Sequence, residues 1–450
     1  MWHARFVKLH HVDKLLFFAL LVCSALMSEL RPAYPQDIKF NRSYGNGMLK
    51  GIKSDIKKYY FDPNFGGHDL DAQFKKAENK IAHAESLSQI LAIIAQCLIE
   101  FDDSHTYFMP PSRPITVKYG WKIGMVGDKC FVVAVKPGSD ADQQGVKPGD
   151  EVLKLDGFRP TRDILWKMIY SYYQINPHAQ VQFVLKSPDG ESRQVSVKSD
   201  IKTEKRVIDL TNDNDYWTEI RKAQNEAQLQ RHRWVEIGEA KDLLIWKLPD
   251  FELENDQVGS IMKKAHDKKA LILDLRDNPG GTIDCLLDLA GYFFESEAIA
   301  FNLTKRDGKE AVKIKPHKDR IFTGTTVILI NSKSGSAAEL LTRMLQLAKK
   351  AIIIGDQSSG AVMQSRIYTH ELGTESQVIP YGASITNADI IMNDGKSLEH
   401  VGATPDELLL PKPQDLANNH DPVLARAAQL AGFQISSEAA GKYFPIEWEK

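Results

Sequence analysis

Hydrophobic positions change their period along the chain. From 37 to about 111 the spacing is helical: Ile81, Ala84, Leu87, Ile90, Leu91, Ile94, Leu98 and Ile99 recur at steps of three or four and form one apolar stripe. The run ends at FDDSHTYFMPP, where Asp102, Asp103 and Ser104 favour a turn and Pro110-Pro111 stop any helix. From about 115 to 202 the pattern shortens to strands and loops, with two alternating runs around a glycine- and proline-punctuated turn in FVVAVKPGSDADQQGVKPGDEVLKLDG. Residues 203–232 are polar and charged and read as a connecting segment. Beyond them the apolar residues of LLIWKLPDF, ALILDLRDN, TTVILIN and AIIIG run consecutively, as in strands buried on both faces. Helical stripes at 286–294 and 337–347 lie between these strands, which predicts a parallel or mixed α/β sheet.

A chain of 450 residues is long for a single core. The periods divide it into a helical segment (37–111), a β-rich domain (113–202), the connecting segment (203–232), an α/β core (233–415) and a C-terminal tail (416–450). The apolar fraction of 43% and charged fraction of 26% are those of an ordinary soluble protein, and the net charge of −2 argues against a general nucleic-acid binder.

The first 27 residues stand apart. Arg5, Lys8 and Lys14 precede LLFFALLVCSALM, an uncharged run shorter than the ~20 residues a membrane span needs. This pattern predicts a signal peptide over 1–27, with an uncleaved anchor as the alternative. The chain is therefore expected to be exported, periplasmic or extracellular, and membrane-bound only if the leader is retained. Cys23 follows Val22, a poor context for lipidation, and Cys97, Cys130 and Cys285 are too widely spaced for a disulfide framework. No C-x-x-C or H-E-x-x-H pattern points to zinc, and neither a metal nor a cofactor is expected.

Candidate chemistry falls at strand ends. Asp277-Asn278-Pro279-Gly280-Gly281 follows one buried run, Ser336 follows a second, and Gly355-Asp356-Gln357-Ser358-Ser359-Gly360 a third. A serine opening a helix is often only a cap. The unpaired amides of the first turn would equally serve the oxyanion of an acyl transfer, with a glycine amide as a second donor.

Two resemblances sharpen this reading. Pro137-Gly138-Ser139-x-Ala141, Gly145, Pro148-Gly149-Asp150 and Asp156-Gly157 resemble a PDZ domain, which receives an extended peptide by strand addition. Its carboxylate-binding loop would fall at Tyr119 to Gly124, with Gly120, Trp121, Ile123 and Gly124 as peptide-binding candidates. LDLRDNPGG, ILINSKSGSAAELL, AIIIGDQSSG and LEHVGATPDE, in that order, resemble the tail-specific (C-terminal processing) serine proteases and their tricorn relatives over roughly 59–429.

That resemblance implies an N-terminal helical segment, a PDZ module and an α/β catalytic core of the ClpP/crotonase type. It implies Ser336 as nucleophile, three residues before Glu339, with Ser334 as a lesser candidate. Many members use a lysine base, but Ala361 or Gly360 stands at that position here. The tricorn-type branch has instead a histidine preceded by a serine and supported by a distant glutamate, which implies His105 as base, Ser104 beside it and Glu399 as the carboxylate. The amide of Ala337 and that of Gly280 or Gly281 would form the oxyanion hole. The implied activity is an exported serine endopeptidase acting on protein or peptide substrates; the rival is an inactive member that binds a peptide or another ligand. No signal for an oligomeric state is present.

Overall fold

The consecutive apolar runs of the C-terminal half lie side by side. The computed structural model describes residues 38–111, 115–203, 231–374 and 377–448. The expected signal segment and nearly all of the connecting segment lie outside the described residues. Leu243–Lys247, Ala270–Asp274, Thr325–Ile330 and Ile352–Gly355 pair in parallel, in that order. Glu407–Leu408 adds in parallel at one edge, and Arg233–Ile237 adds antiparallel at the other.

Successive residues of a strand point to opposite faces. Leu244, Trp246, Leu271, Leu273, Ile328 and Ile330 share one core with the helices Asn255–Ala265, Ile283–Ala290 and Ala337–Leu347. Leu243, Ile245, Ile272, Val327, Leu329 and Ile354 pack on the other face against Val423, Leu424 and Ala427. The segment expected as a C-terminal tail is thus part of the fold. Its helices Pro422–Leu430 and Ser437–Tyr443 cover a sheet face that would otherwise meet water.

A second, antiparallel sheet is built on the long hairpin Met363–Thr374 and Gln377–Ile391. Tyr107–Met109 and Ala298–Lys305 also pair with its second strand, and Gly308–Ile314 extends the sheet. The N-terminal helices Ile38–Tyr59, Leu70–Ile81 and Leu87–Ile99 bury their stripes against Tyr381, Ala383 and Ile385 of this sheet.

The β-rich segment forms its own five-stranded antiparallel sheet and core, with Trp121–Val126 as one edge. It also carries a helix, Arg162–Tyr170, which the short-period reading missed. Leu165 and Met168 anchor that helix, three residues apart in a segment too short to show a stripe. Cys97, Cys130 and Cys285 are buried free thiols.

Candidate active site

Strand Thr325–Ile330 ends in a tight turn, Asn331 to Gly335, before the helix that begins at Ala337. Ser334 is fully buried within that turn: its hydroxyl donates to the Leu275 carbonyl at 2.7 Å and accepts from the Asn331 N–H at 2.9 Å. Those bonds give Ser334 a structural role. Ser336 sits at φ 50°, ψ −117°. That is the first central position of a type II′ turn, which L-residues with a side chain rarely adopt. An ordinary capping serine has extended backbone angles. The strain at Ser336 therefore argues against a plain cap and matches the sharp strand-to-helix turns that present nucleophiles.

Glu339 holds this turn in place. Its carboxylate is fully buried and accepts from the Ser336 N–H (2.9 Å), the Ser358 hydroxyl (2.6 Å), the Gly360 N–H (2.7 Å) and the Ala361 N–H (3.0 Å). Burial pushes it up to about 7, against the pull of those donors. Where the resemblance led one to expect a lysine, the Gly360 and Ala361 N–H groups bond to Glu339, and the Ala361 carbonyl accepts from the Ser336 N–H at 2.9 Å. Lys333, the nearest lysine in sequence, turns toward Asp277 at 4.0 Å.

His105 reaches the core because Tyr107–Met109 pairs with Gly382–Ser384 of the long hairpin. Ser104 Oγ lies 2.7 Å from His105 Nδ1 and 2.8 Å from Glu399 Oε2, while the Ser104 N–H donates to Glu399 Oε1 at 2.7 Å. Glu399 Oε2 also accepts from the Val362 N–H at 2.7 Å. The structure therefore brings Ser104, His105 and Glu399 together, and four hydrogen bonds run from His105 through Ser104, Glu399 and the Ala361–Val362 amide to Ser336.

The relay fixes a tautomer. An ionised Glu399 can only accept, so the Ser104 hydroxyl donates to it and Nδ1–H of His105 donates to Ser104 Oγ. Nε2 then carries the lone pair and can act as a base. Burial pushes the imidazole below its ordinary value, with the Asp103 charge opposing, which favours the neutral form. Burial raises Glu399, while the Val362 and Ser104 donors pull it down.

The glycine pair packs directly on the serine. A Cβ on Gly280 would lie 2.6 Å from Ser336 Cβ and 3.0 Å from the Ala337 nitrogen. The two glycines differ as oxyanion donors. The Gly280 N–H is committed to Asn278 Oδ1 at 2.8 Å, which corrects its candidacy. The Gly280 carbonyl accepts from Phe251 N–H at 2.8 Å, and the Gly281 N–H in the same planar amide points the opposite way. Gly281 and Ala337, whose N–H is first in its helix and has no intrahelical acceptor, remain as the candidate donors.

The peptide-binding candidates divide similarly. Trp121 and Ile123 point into the core of the β-rich module, so their side chains do not line a groove. The Gly120 carbonyl accepts from the Lys136 N–H at 2.8 Å. Gly124 lines a cavity beside Lys333, where an added Cβ would lie 3.4 Å from Lys333 Cε, and the Ser332 hydroxyl donates to the Met125 carbonyl at 2.7 Å. This cavity of about 620 Å³ lies between this edge strand and the strand ends; Lys333 and Asp277 line it, and Ser336 and His105 do not. Among the described residues no cluster is placed to hold a metal ion.

Sequence reasoning passed over Asp103 and Asn278, and used Glu339 only as a marker. The three-residue spacing of Ser336 and Glu339 and the Asx turn latent in Asp103-Ser104-His105 were the available signals.

Comparison with known proteins finds a family model and relatives that are similar to part of the chain. Residues 242–409 match the model of peptidase family S41. The carboxy-terminal processing protease CtpA of Bacillus subtilis (strain 168) is 25% identical over 230 residues, covering 51% of this chain and 44% of that protein. The carboxyl-terminal-processing protease of Picosynechococcus sp. is 21% identical over 346 residues, covering 73% of each. This chain thus spans under half the length of the first relative and about three-quarters of the second. The crystal structure of mature CPAF superposes with a TM-score of 0.62 at 14% identity, covering 84% of this chain and 94% of that one, and so shares the fold.

Proposed function

We propose, from the match of residues 242–409 to the model of peptidase family S41, that the chain is a serine peptidase of the carboxyl-terminal processing type, with Ser336 as nucleophile and His105 as base. The observation that carries the reading is the Ser104–Glu399 relay on His105 Nδ1, joined through one amide to the strained turn of Ser336. Ser336 Oγ attacks a peptide carbonyl while His105 Nε2 takes its proton. The imidazolium formed keeps Nδ1–H on Ser104, whose hydroxyl stays on the Glu399 carboxylate. Charge on the tetrahedral oxygen falls to the amides of Ala337 and Gly281. The imidazolium then protonates the leaving amine, and water, deprotonated by the same nitrogen, hydrolyses the acyl-enzyme.

The β-rich module would present or gate substrate tails, and the basic, apolar leader supports export. A fluorophosphonate probe tests the chemistry. Wild-type protein is expected to take covalent label at Ser336, with the label lost in Ser336→Ala and His105→Ala. Folded wild type that takes none would favour the rival reading, a binding protein that keeps the fold, for which the missing lysine speaks. Unchanged labelling of His105→Ala would remove the histidine from the mechanism.

A further inference from the structure

The loop that carries His105 has little regular structure of its own. Helix Leu87–Ile99 ends before it, Asp102 takes a left-handed φ of 55°, and strand pairing resumes only at Tyr107. Backbone donors in such a loop need acceptors from elsewhere.

Glu399 takes the Ser104 N–H, and the Asp103 side chain takes the next two. Asp103 Oδ1 accepts from the His105 N–H at 3.0 Å, the Thr106 N–H at 2.7 Å and the Thr386 hydroxyl at 2.6 Å. Asp103 Oδ2 accepts from the Tyr60 hydroxyl at 3.0 Å. The Thr386 N–H donates to Thr106 Oγ1, and that hydroxyl donates to Thr386 Oγ1, each at 3.1 Å. The proton directions agree at every link and end on the carboxylate. Tyr60 follows the first helix, where the Phe61 N–H donates to the Thr386 carbonyl at 3.0 Å. Asp103 is therefore where the N-terminal helices, the hairpin sheet and the His105 loop meet.

We propose that Asp103 is a positioning residue for His105: its carboxylate, braced by Tyr60 and Thr386, fixes the backbone that aims the imidazole and places a negative charge beside it. This rests on the reading of His105 as base. Asp103 touches neither substrate nor the reacting atoms. It differs from Glu399, which reaches the ring through the Ser104 hydroxyl. The charged or titrating groups around His105 are Asp103 on its own loop, Glu399 through Ser104, His400 at 3.8 Å from Glu399 Oε1, and Tyr60 through Asp103. Burial lowers the imidazole and the Asp103 charge opposes it.

The test compares Asp103→Ala, Asp103→Asn and Tyr60→Phe in the full chain. Two readouts are used: fluorophosphonate labelling rate against pH, and His105 titration by imidazole NMR, assigned with His105→Ala. Asp103→Ala is expected to label about 100-fold more slowly, the scale of a misaimed catalytic group. Asp103→Asn keeps an acceptor and loses the charge, so it should retain more of the rate while its titration midpoint moves down. Tyr60→Phe should slow labelling a few-fold with the midpoint nearly unmoved. A wild-type rate in Asp103→Ala, or an unmoved His105 midpoint in Asp103→Asn, overturns the proposal. The NMR arm needs no turnover and decides even if Asp103→Ala fails to fold. Wild type that takes no label, yet shows the midpoint shift in Asp103→Asn, overturns the peptidase reading and leaves the Asp103–His105 coupling standing.

Discussion

Ser336 and Glu399 are held by opposite ends of one peptide group. The Ala361 carbonyl accepts from the Ser336 N–H at 2.9 Å, and the N–H of the same amide, on Val362, donates to Glu399 Oε2 at 2.7 Å. A peptide unit is planar and stiff, so the turn of the proposed nucleophile and the carboxylate behind its base cannot shift independently. One backbone amide thus joins the two halves of the site.

The first prediction concerns that carboxylate. Glu399 receives three donors: the Ser104 N–H, the Ser104 hydroxyl and the Val362 N–H. Glu399→Gln presents one acceptor oxygen and one NH₂, so a donor must face a donor, or the Ser104 hydroxyl must reverse and accept. Reversal sends the Ser104 proton to Nδ1 and leaves the proton of His105 on Nε2, the wrong tautomer for a base. The corresponding substitution in the Ser-His-Asp triad costs ~10⁴ in turnover, and a loss of about 10²–10⁴ in kcat/KM is expected here. A loss below tenfold on a peptide substrate would remove Glu399 from the relay.

Much of the architecture was legible because it follows from periodicity. Leu271, Ile272 and Leu273 are apolar in succession since both sheet faces are covered, and Ile90, Ile94 and Leu98 mark a helix packed on one side. The four motifs led to Ser336 and, in LEHVGATPDE, to Glu399, and the Ser104-His105 pair led to the histidine. The rest is written in contacts between distant positions. Asp103 meets Thr386 across 283 positions, and nothing local in ASITNAD marks that threonine. The choice between Gly280 and Gly281 depends on which way one amide faces, and Phe251 and Asn278 set that. The hairpin strands 363–391 carry mixed polar and apolar residues because the N-terminal helices cover only part of them.

A second prediction follows from the burial of His105, which lowers its imidazole from the ordinary value of ~6.5. The neutral ring is the active form, so kcat/KM should rise with pH through a midpoint below that value and then level off. The sign for stability is the same. The folded-state value is depressed, so this contribution is present above the unfolded-state value and is lost as pH falls through the folded one. A rate profile with its midpoint above 6.5 in wild type, or an unchanged limb in His105→Ala, would contradict the assignment.

Glu339 gives a third prediction with the opposite sign. Burial holds it at about 7 against an ordinary 4.5, so the folded state keeps its proton longer than the unfolded chain does. Its stabilisation is fully present below about 4.5 and is lost as pH rises through about 7, by roughly 3 kcal/mol at 1.36 kcal/mol per unit. Glu339→Gln removes this titration and sets an NH₂ against the N–H groups of Ser336, Gly360 and Ala361. Denaturant unfolding should find the variant less stable throughout, with the gap to wild type narrowing from pH 5 to pH 8. A gap that stays constant over this range would mean that Glu339 is ionised in the folded protein well below 7.

The last prediction tests whether the β-rich module communicates with the serine. Arg162, opening the helix of that module, donates to Asp356 Oδ2 at 2.6 Å, the Gly127 carbonyl at 3.0 Å and the Gln357 carbonyl at 3.0 Å. The Gly127 N–H donates to the same Asp356 oxygen at 2.9 Å. Asp356 begins the loop whose later residues, Ser358 to Ala361, hold Glu339 and the Ser336 N–H. A guanidinium fork can hold all three acceptors; a lysine is a point charge and cannot. Arg162→Lys should therefore behave like Arg162→Ala: about a tenfold drop in kcat, the scale of ~1.4 kcal/mol, with KM changed less. Unfolding midpoints should stay close to wild type because the two cores do not depend on this contact. The readout is kcat separated from KM on a peptide short enough to bypass the module. Full activity of both variants on that peptide would mean that the module docks on the loop without ordering it, and its influence on the serine would have to run through Ser332 and Met125 instead.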